Sequence, residues 1–331
     1  MSETIRVCCR FRPLPSHASP TTTPHVTHPT DSTVQIAPPL FDDPNQMSTG
    51  SILSDTYRFN FDQIFNPLDS TADVYKYLGP SVSRSVLEGF NSCLFVYGQT
   101  GAGKTHTMMG RDALAVPDTD LSDSTEPDGD RYGLTPLIIQ DIFKGFAEAP
   151  DSVTFTIRVS YVEVYLERVK DLLSPAFHGR DAPMPSKVTG SAADQATPEN
   201  LPLRNGPALP GGGSGGVFIA GCSEYYCSCE SDVLYHLNRG SGVRAVGETK
   251  MNRDSSRSHS VFIVKVERRE DGSSTNATSE ETGVMTGQLY LVDLAGSESV
   301  GKTGADGIRL KEAQIINKSL SSLGNVINAL R

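Results

Sequence analysis

The chain has 331 residues, of which 37% are hydrophobic and 21% are charged. An average globular chain is about 45–50% apolar and about 25% charged, so these shares predict a normal core diluted by long loops. The formal net charge of −10 argues against a nucleic-acid binder with a basic surface. No apolar stretch is long enough to span a membrane, no signal-peptide core is visible, and six irregularly spaced cysteines are typical of reduced cytosolic thiols.

Three low-complexity inserts account for most of the dilution. Residues 14–56 are rich in Pro, Thr and Ser, and they are predicted to be a loop with one short strand around Val34–Ile36. Residues 111–131 carry a run of acidic side chains, and residues 174–216 end in LPGGGSGG. These compositions offer little apolar area to bury, so all three inserts are predicted to be loops.

Between the inserts, hydrophobic periodicity predicts strands that alternate with helices. Helices are predicted after the capping residues Asp69 and Ser70, around 230–239, and over the apolar stripe from Ala313 to Leu330. Strands are predicted at 93–97, 153–161, 260–266 and 288–294. Alternation of the two element types predicts an α/β layer fold.

The strongest local motif is GQTGAGKT at residues 98–105, which fits the phosphate-binding pattern GxxxxGK[ST] directly after a predicted buried strand. Glycines allow consecutive backbone N–H groups to point at a polyphosphate. Lys104 can reach the phosphate oxygens, and the Thr105 hydroxyl can ligate Mg²⁺. The predicted nucleotide cradle is therefore Gly98, Gln99, Thr100, Gly101, Ala102, Gly103, Lys104 and Thr105.

Two further polar segments are suited to the same chemistry. Asp293 ends an apolar strand, where its carboxylate can hold the Mg²⁺ shell, and Gly296 can offer an N–H group to a γ-phosphate. Ser255 and Ser256 stand beside Arg257 in the string NRDSSRSH, at residues 252–259. Adjacent hydroxyls next to an arginine suit contacts with Mg²⁺ and phosphate.

Together and in this order, GQTGAGKT at 98–105, NRDSSRSH at 252–259 and DLAGSE at 293–298 resemble the P-loop, switch I and switch II of the kinesin motor domain. CRFRPL at 9–14 and INKSLSSLGNVINAL at 316–330 resemble the same family. The resemblance implies a P-loop NTPase fold, with a central, mostly parallel β-sheet and helices on both faces. It also implies one motor domain over residues 5–331 that stops before the family's last strand, last helices and neck linker.

Residue roles follow from this resemblance. Arg10, Pro13 and His106 would flank the adenine, while Thr105 and Ser256 would ligate Mg²⁺ directly and Asp293 through water. Ser255 and Gly296 would contact the γ-phosphate or the lytic water, and Arg257 and Glu298 would form an ion pair between the two switches. Glu298 would act through a water chain gated by Arg257. The residues implied for catalysis are Lys104, Ser255, Arg257, Gly296 and Glu298.

The resemblance further implies hydrolysis of Mg²⁺-bound ATP, stimulated by microtubules in the cytoplasm. Five basic and two acidic side chains between Ser299 and Arg331 form a positive region that would contact acidic tubulin, mainly over residues 302–331. Nucleic acid and membrane are not expected partners, and oligomerisation is not encoded in this chain.

Two alternatives remain at this stage. The first is a nucleotide- or tubulin-binding fragment without a productive cycle, since motor domains of the family continue beyond the position of Arg331. The second is a signalling GTPase, but its guanine-reading NKxD string finds only Asn317-Lys318-Ser319-Leu320 here, with leucine in place of the aspartate.

Overall fold

A computed structural model describes residues 5–13, 26–37, 56–111, 130–178, 183–189, 197–206, 216–251, 255–270, 284–298 and 308–330. Within these ranges, the side chains of residues 246–251, 255, 308–310 and 313 fall outside the description. The chain divides into two compact units, one of Met1–Asp69 with Val326–Arg331 and one of Ser70–Asn325.

The elements of the described residues follow one another in this order. The strands are β1 (Cys8–Arg10), β2 (Val26–Thr30), β3 (Thr33–Ile36), β4 (Tyr57–Asn60), β5 (Gln63–Phe65), β6 (Ser92–Val96), β7 (Val153–Tyr165), β8 (Arg168–Asp171), β9 (Lys187–Val188), β10 (Leu203–Asn205), β11 (Val217–Ile219), β12 (Ser223–Cys227), β13 (His259–Glu270) and β14 (Val284–Asp293). The α-helices are α1 (Thr71–Leu87), α2 (Lys104–Met109), α3 (Leu134–Ala147), α4 (Glu230–Met251) and α5 (Ile308–Ala329).

The smaller unit contains two small sheets. β1 pairs in parallel with β5, and β2, β3 and β4 form an antiparallel sheet. β3 confirms the strand predicted near Val34–Ile36, but β2 was missed, so part of the insert 14–56 is sheet and not loop. A turn at Asp31 and Ser32 allows β2 to fold back on β3. Residues 14–25 and 38–55 of this insert lie outside the described residues.

The larger unit is organised around a sheet with the strand order β6-β14-β13-β7-β12-β9, and β8 pairs with β7. Helices flank this sheet, which confirms the α/β class, but the expectation of a mostly parallel sheet was wrong. Only the β6–β14 pair is parallel among the described pairs of this sheet. A short connection explains one of the antiparallel pairs: Leu166 and Glu167, both at positive φ, turn β7 into β8 as a hairpin.

Parts of the insert 174–216 are also ordered into sheet, which corrects the prediction of a loop there. β9 pairs with β12, and β10 pairs with β11. The Thr189 hydroxyl fixes this region because it accepts from the Cys222 backbone N–H at 2.9 Å. Residues 179–182, 190–196 and 207–215 of the insert lie outside the description.

The predicted start of the first long helix is confirmed. Ser70 and Asp73 form a reciprocal capping box at α1, with the Ser70 N–H donating to the Asp73 carboxylate at 3.0 Å. Asp130, the last acidic residue of the insert 111–131, accepts from both the backbone N–H and the hydroxyl of Thr71 at 2.7 Å. This insert is therefore anchored on α1 at one end, while residues 112–129 lie outside the description.

The parallel pairing of β6 and β14 positions the candidate site. Val96 is paired with Asp293 at the carboxyl ends of the two strands, so the glycine-rich loop after β6 and the segment after β14 start side by side. The carboxyl edge of parallel strands is where α/β sheets bind ligands. Burial of Leu94, Leu289 and Leu291 fixes both strands in the core beneath this edge.

Candidate nucleotide site

The glycine-rich loop has the backbone that its sequence predicts. Gly98, Gly101 and Gly103 have φ values of +156°, +79° and +99°, a region that residues with a Cβ rarely adopt. Gly103 is followed at once by α2, which begins at Lys104. The loop thus leads directly into a helix start, a geometry in which backbone N–H groups can surround an anion.

Lys104 is half-buried within this loop. Its Nζ donates to the backbone oxygens of Gly98 at 2.9 Å and Gln99 at 3.0 Å. Burial lowers the pKa of the Lys104 ammonium, although Asp293 and Glu298 favour its charged form and act in the opposite direction. A cation held over the mouth of the loop can neutralise phosphate oxygens after exchanging its bonds to the two carbonyls.

Thr105 and Asp293 are brought together as the metal prediction requires. The Thr105 hydroxyl donates to Asp293 Oδ2 at 2.6 Å. Asp293 is 5% exposed, and its Oδ1 is a buried oxygen without a hydrogen-bond partner among the described residues. A carboxylate oxygen that is buried and unsatisfied beside a hydroxyl fits a hydrated Mg²⁺ ion, which keeps several waters and takes few protein ligands.

Arg244 of α4 was missed by the sequence analysis. Its Nη1 lies 3.5 Å from Asp293 Oδ2, its Nε lies 3.8 Å from Glu163 Oε1, and its Nη2 donates to the Ser258 backbone oxygen at 3.2 Å. Ser258 in turn donates through its hydroxyl to Glu163 at 2.7 Å. This buried network joins α4, the end of switch I and the carboxylate that closes β14.

Switch II is held by consecutive backbone N–H groups. The Ala295 N–H donates to His259 Nδ1 at 3.0 Å, the Gly296 N–H to the Ser256 oxygen at 2.7 Å, and the Ser297 N–H to the Gly98 oxygen at 3.1 Å. The N–H of Gly296 is the donor expected to reach a γ-phosphate. In this conformation it is bonded to switch I instead.

Glu298 contacts the glycine-rich loop directly. Its carboxylate accepts from the Thr100 N–H at 2.9 Å and the Thr100 hydroxyl at 2.6 Å. Burial would raise the pKa of Glu298, but the hydrogen bonds from Thr100 outweigh it and lower that pKa below its usual value. A Cβ at Gly296 would clash with the Glu298 carboxylate and the Thr100 hydroxyl, so a side chain at 296 would displace this hydrogen bond.

The ion pair expected between Arg257 and Glu298 is not formed. Glu298 is engaged by Thr100, and Arg257 Nη1 instead lies 2.5 Å from Glu312 Oε2 of α5. Glu312 is 7% exposed and also accepts from the Tyr165 hydroxyl at 2.8 Å. A buried carboxylate needs such partners, which explains why Arg257 is drawn to α5.

The structure shows fewer contacts at the site for the remaining predicted residues. Ser256 reaches the site through its backbone oxygen, and the side chain of Ser255 lies outside the description. His106 is exposed in α2. Arg10 and Pro13 belong to the smaller unit, where Arg10 Nη2 donates to the Asp69 oxygen at 3.5 Å, so their adenine contacts stay a prediction.

The comparisons with known proteins agree with this geometry. A family model described as the kinesin motor domain matches residues 10–331. The chain belongs to the kinesin family.

Individual kinesins match almost the whole chain. Kinesin-related protein 3 of Dictyostelium discoideum is 37% identical over 98% of this chain, and the kinesin-1 heavy chain of Homo sapiens is 36% identical over 98%. The chain spans 22% and 27% of these two relatives. A solved structure described as a fast kinesin is 33% identical, with a TM-score of 0.71, and the match covers 98% of this chain and 75% of that one.

Kinesin membership confirms the P-loop NTPase fold. Among the described residues, no helix is long and apolar enough to cross a membrane. The same residues hold no cluster of three or more His, Cys, Asp or Glu side chains that could bind a metal by themselves. A kinesin nucleotide site does not require such a cluster, because nucleotide phosphates and water complete the Mg²⁺ shell.

Proposed function

We propose that this chain is the ATP-hydrolysing head of a microtubule motor. The contact of Thr105 with Asp293 at 2.6 Å carries the proposal, because it joins the P-loop to switch II where a hydrated Mg²⁺ ion is needed. The unsatisfied Oδ1 of Asp293 adds a buried acceptor at the same place. Bound Mg²⁺ would neutralise charge on the β- and γ-phosphates.

The chain's own residues supply positioning and charge. We assign Lys104 and the N–H groups of the P-loop to the phosphates, and Thr105 and Ser256 to the metal, with Asp293 acting through water. We assign the exposed His106 to the adenine of ATP. The resemblance to kinesins assigns Arg10 and Pro13 to the same role.

Hydrolysis requires the switches to leave their present contacts. The Gly296 N–H must exchange the Ser256 oxygen, at 2.7 Å, for a phosphate oxygen. Glu298 must separate from Thr100 before it can polarise a water chain toward the γ-phosphate, and Ser255 would orient the lytic water. Arg257 would then exchange Glu312 for Glu298 and close switch I over the site.

The exposed charge of α5 supports an acidic partner. Lys311 and Lys318 are exposed, whereas Glu312, the acidic residue between them, is buried against Arg257 and Tyr165. The described surface of this helix is therefore more positive than its sequence indicates. The chain would dock on tubulin through the region 302–331 and act at microtubules in the cytoplasm.

Phosphate release from Mg²⁺·ATP tests the enzymatic part of this proposal. The 331-residue chain should release phosphate in the presence of Mg²⁺, and Lys104→Met should remove that turnover. ATP should displace a fluorescent ATP analogue at lower concentration than GTP does. A GTP preference would instead support the signalling GTPase, and the absence of turnover in a chain that binds ATP would contradict the hydrolysis proposal.

A second candidate is a head that binds nucleotide or tubulin without cycling. Among the strands that the structure describes, β6, which precedes the P-loop, pairs with β14 alone. A strand that is hydrogen-bonded on one side only is less restrained than one bonded on both sides, so the P-loop after β6 would be less firmly positioned for hydrolysis. Measuring ATP binding, microtubule cosedimentation and turnover on the same preparation separates this candidate, which predicts binding alone.

A further inference from the structure

His259 forms a bridge between switch II and α5. It is the first residue of β13, two positions after Arg257. Its Nδ1 lies 3.0 Å from the Ala295 backbone nitrogen, and its Nε2 lies 3.0 Å from the Ser319 hydroxyl oxygen of α5. The Ser319 hydroxyl donates in turn to the Ile316 backbone oxygen at 2.7 Å.

The partners of His259 define its tautomer. A backbone N–H can only donate, so Nδ1 must accept from Ala295 and the proton of the neutral ring must lie on Nε2. Ser319 uses its own proton on Ile316, which leaves its oxygen free to accept from Nε2. Burial lowers the pKa of His259, with Arg244 acting in the same direction and Asp293 opposing both, so the neutral ring is favoured.

One end of the bridge lies next to the residue proposed to contact the γ-phosphate. Ala295 is fully buried and immediately precedes Gly296, whose N–H is the donor proposed to reach the γ-phosphate. The two N–H groups belong to planar peptide units that meet at the Ala295 Cα, so the bond from Ala295 to His259 fixes one side of the joint about which the Gly296 N–H turns. The other end of the bridge, Ser319, is one residue after the exposed Lys318 on the helix proposed to meet tubulin.

We propose that His259 is a positioning residue that couples the switch II backbone at Ala295 to α5 through Ser319. This inference rests on the proposed function, because it assigns a route between the nucleotide site and the partner-binding helix. The coupling is reciprocal: phosphate contact at Gly296 shifts α5, and a partner that shifts α5 changes how readily Gly296 is released.

Three variants isolate the bridge. Ser319→Ala removes the hydroxyl that faces Nε2, and His259→Asn keeps an acceptor near Ala295 but is too short to reach Ser319. Ser85→Ala is the matched control, since Ser85 is also a half-buried helical serine whose hydroxyl donates to a carbonyl of its own helix, that of Ser81 at 2.8 Å. Melting curves of all variants verify that they are folded.

Hydrogen–deuterium exchange of α5, with and without Mg²⁺ and a non-hydrolysable ATP analogue, is the primary measurement. The wild-type chain and Ser85→Ala should show a change in the exchange of residues 308–329 when the analogue binds. In Ser319→Ala and His259→Asn this change should be at least halved while the analogue remains bound. An equal response in Ser319→Ala and the wild type overturns the coupling, as does a wild-type helix that does not respond to a bound analogue.

Steady-state turnover adds a second measurement. The ratio of microtubule-stimulated to basal turnover should fall about five- to tenfold in each bridge variant, and the double variant should fall no further than the singles. Additive losses would mean separate structural effects and would overturn the bridge. A wild-type chain that binds the analogue but gains nothing from microtubules refutes the proposed function, and the exchange measurement then decides the coupling by itself.

Discussion

Replacing Arg244 with methionine is expected to destabilise the free protein by about 3–5 kcal/mol, the usual cost of removing one partner from a buried ion pair. Arg244 is 8% exposed and lies 3.5 Å from Asp293 and 3.8 Å from Glu163. Methionine keeps much of the apolar stem but leaves the buried Asp293 and the half-buried Glu163 without the guanidinium. The loss is a large share of the about 5–15 kcal/mol that stabilises a typical protein.

Urea unfolding monitored by circular dichroism measures this loss, since the chain has no tryptophan to report by fluorescence. Lys76→Met is the control, because the Lys76–Asp73 pair at 2.9 Å is exposed and should contribute at most about 1 kcal/mol. The double variant Arg244→Met with Asp293→Asn should be more stable than Arg244→Met alone. A loss below about 1 kcal/mol, or no recovery in the double variant, would refute the argument.

Three further predictions concern the site and its surroundings. Lys104→Met should abolish binding of a fluorescent ATP analogue without changing the circular dichroism spectrum; retained binding would contradict its assigned role. Glu298→Gln should lower turnover at least tenfold while ATP affinity stays within about threefold, and a larger loss of affinity would show that Glu298 mainly organises Thr100. His236 has a pKa lowered to about 4 by burial, with Arg239 acting in the same direction, so it stabilises the fold above pH 6.5 and loses that contribution as pH falls. Between pH 7.5 and 5.5 the free energy of unfolding should fall by about 1.4 kcal/mol more in the wild type than in His236→Gln, and equal pH slopes would contradict this.

The P-loop was readable from the sequence because its chemistry is contiguous. All its functional residues lie within one short segment, so their spacing alone predicts their roles. They are Gly98, Gly101, Gly103, Lys104 and Thr105. Sequence also predicted that Thr105 and Asp293 serve one metal ion, and the structure places them close together because the P-loop follows β6, whose end pairs in parallel with the end of β14. Local patterns and strand ends are the features that a sequence shows best.

Contacts between distant elements were not readable in the same way. Arg244 reaches Asp293 from a long helix, and no spacing rule marks it. Glu312 counted in the sequence only as one acidic residue of a positive region, whereas the structure buries it beside Tyr165 as the partner of Arg257. Strand direction was missed for a similar reason, since the apolar pattern of β13 does not show that β7 and β14 run antiparallel to it.

Phosphate release measured against microtubule concentration tests the central claim most directly. The account predicts that turnover of the 331-residue chain rises at least tenfold and saturates, that Lys104→Met shows no turnover at any concentration, and that added salt weakens the effect by screening α5. Turnover that does not change with microtubules, in a chain shown to bind Mg²⁺·ATP, would contradict the claim that this kinesin head is a microtubule-stimulated ATPase.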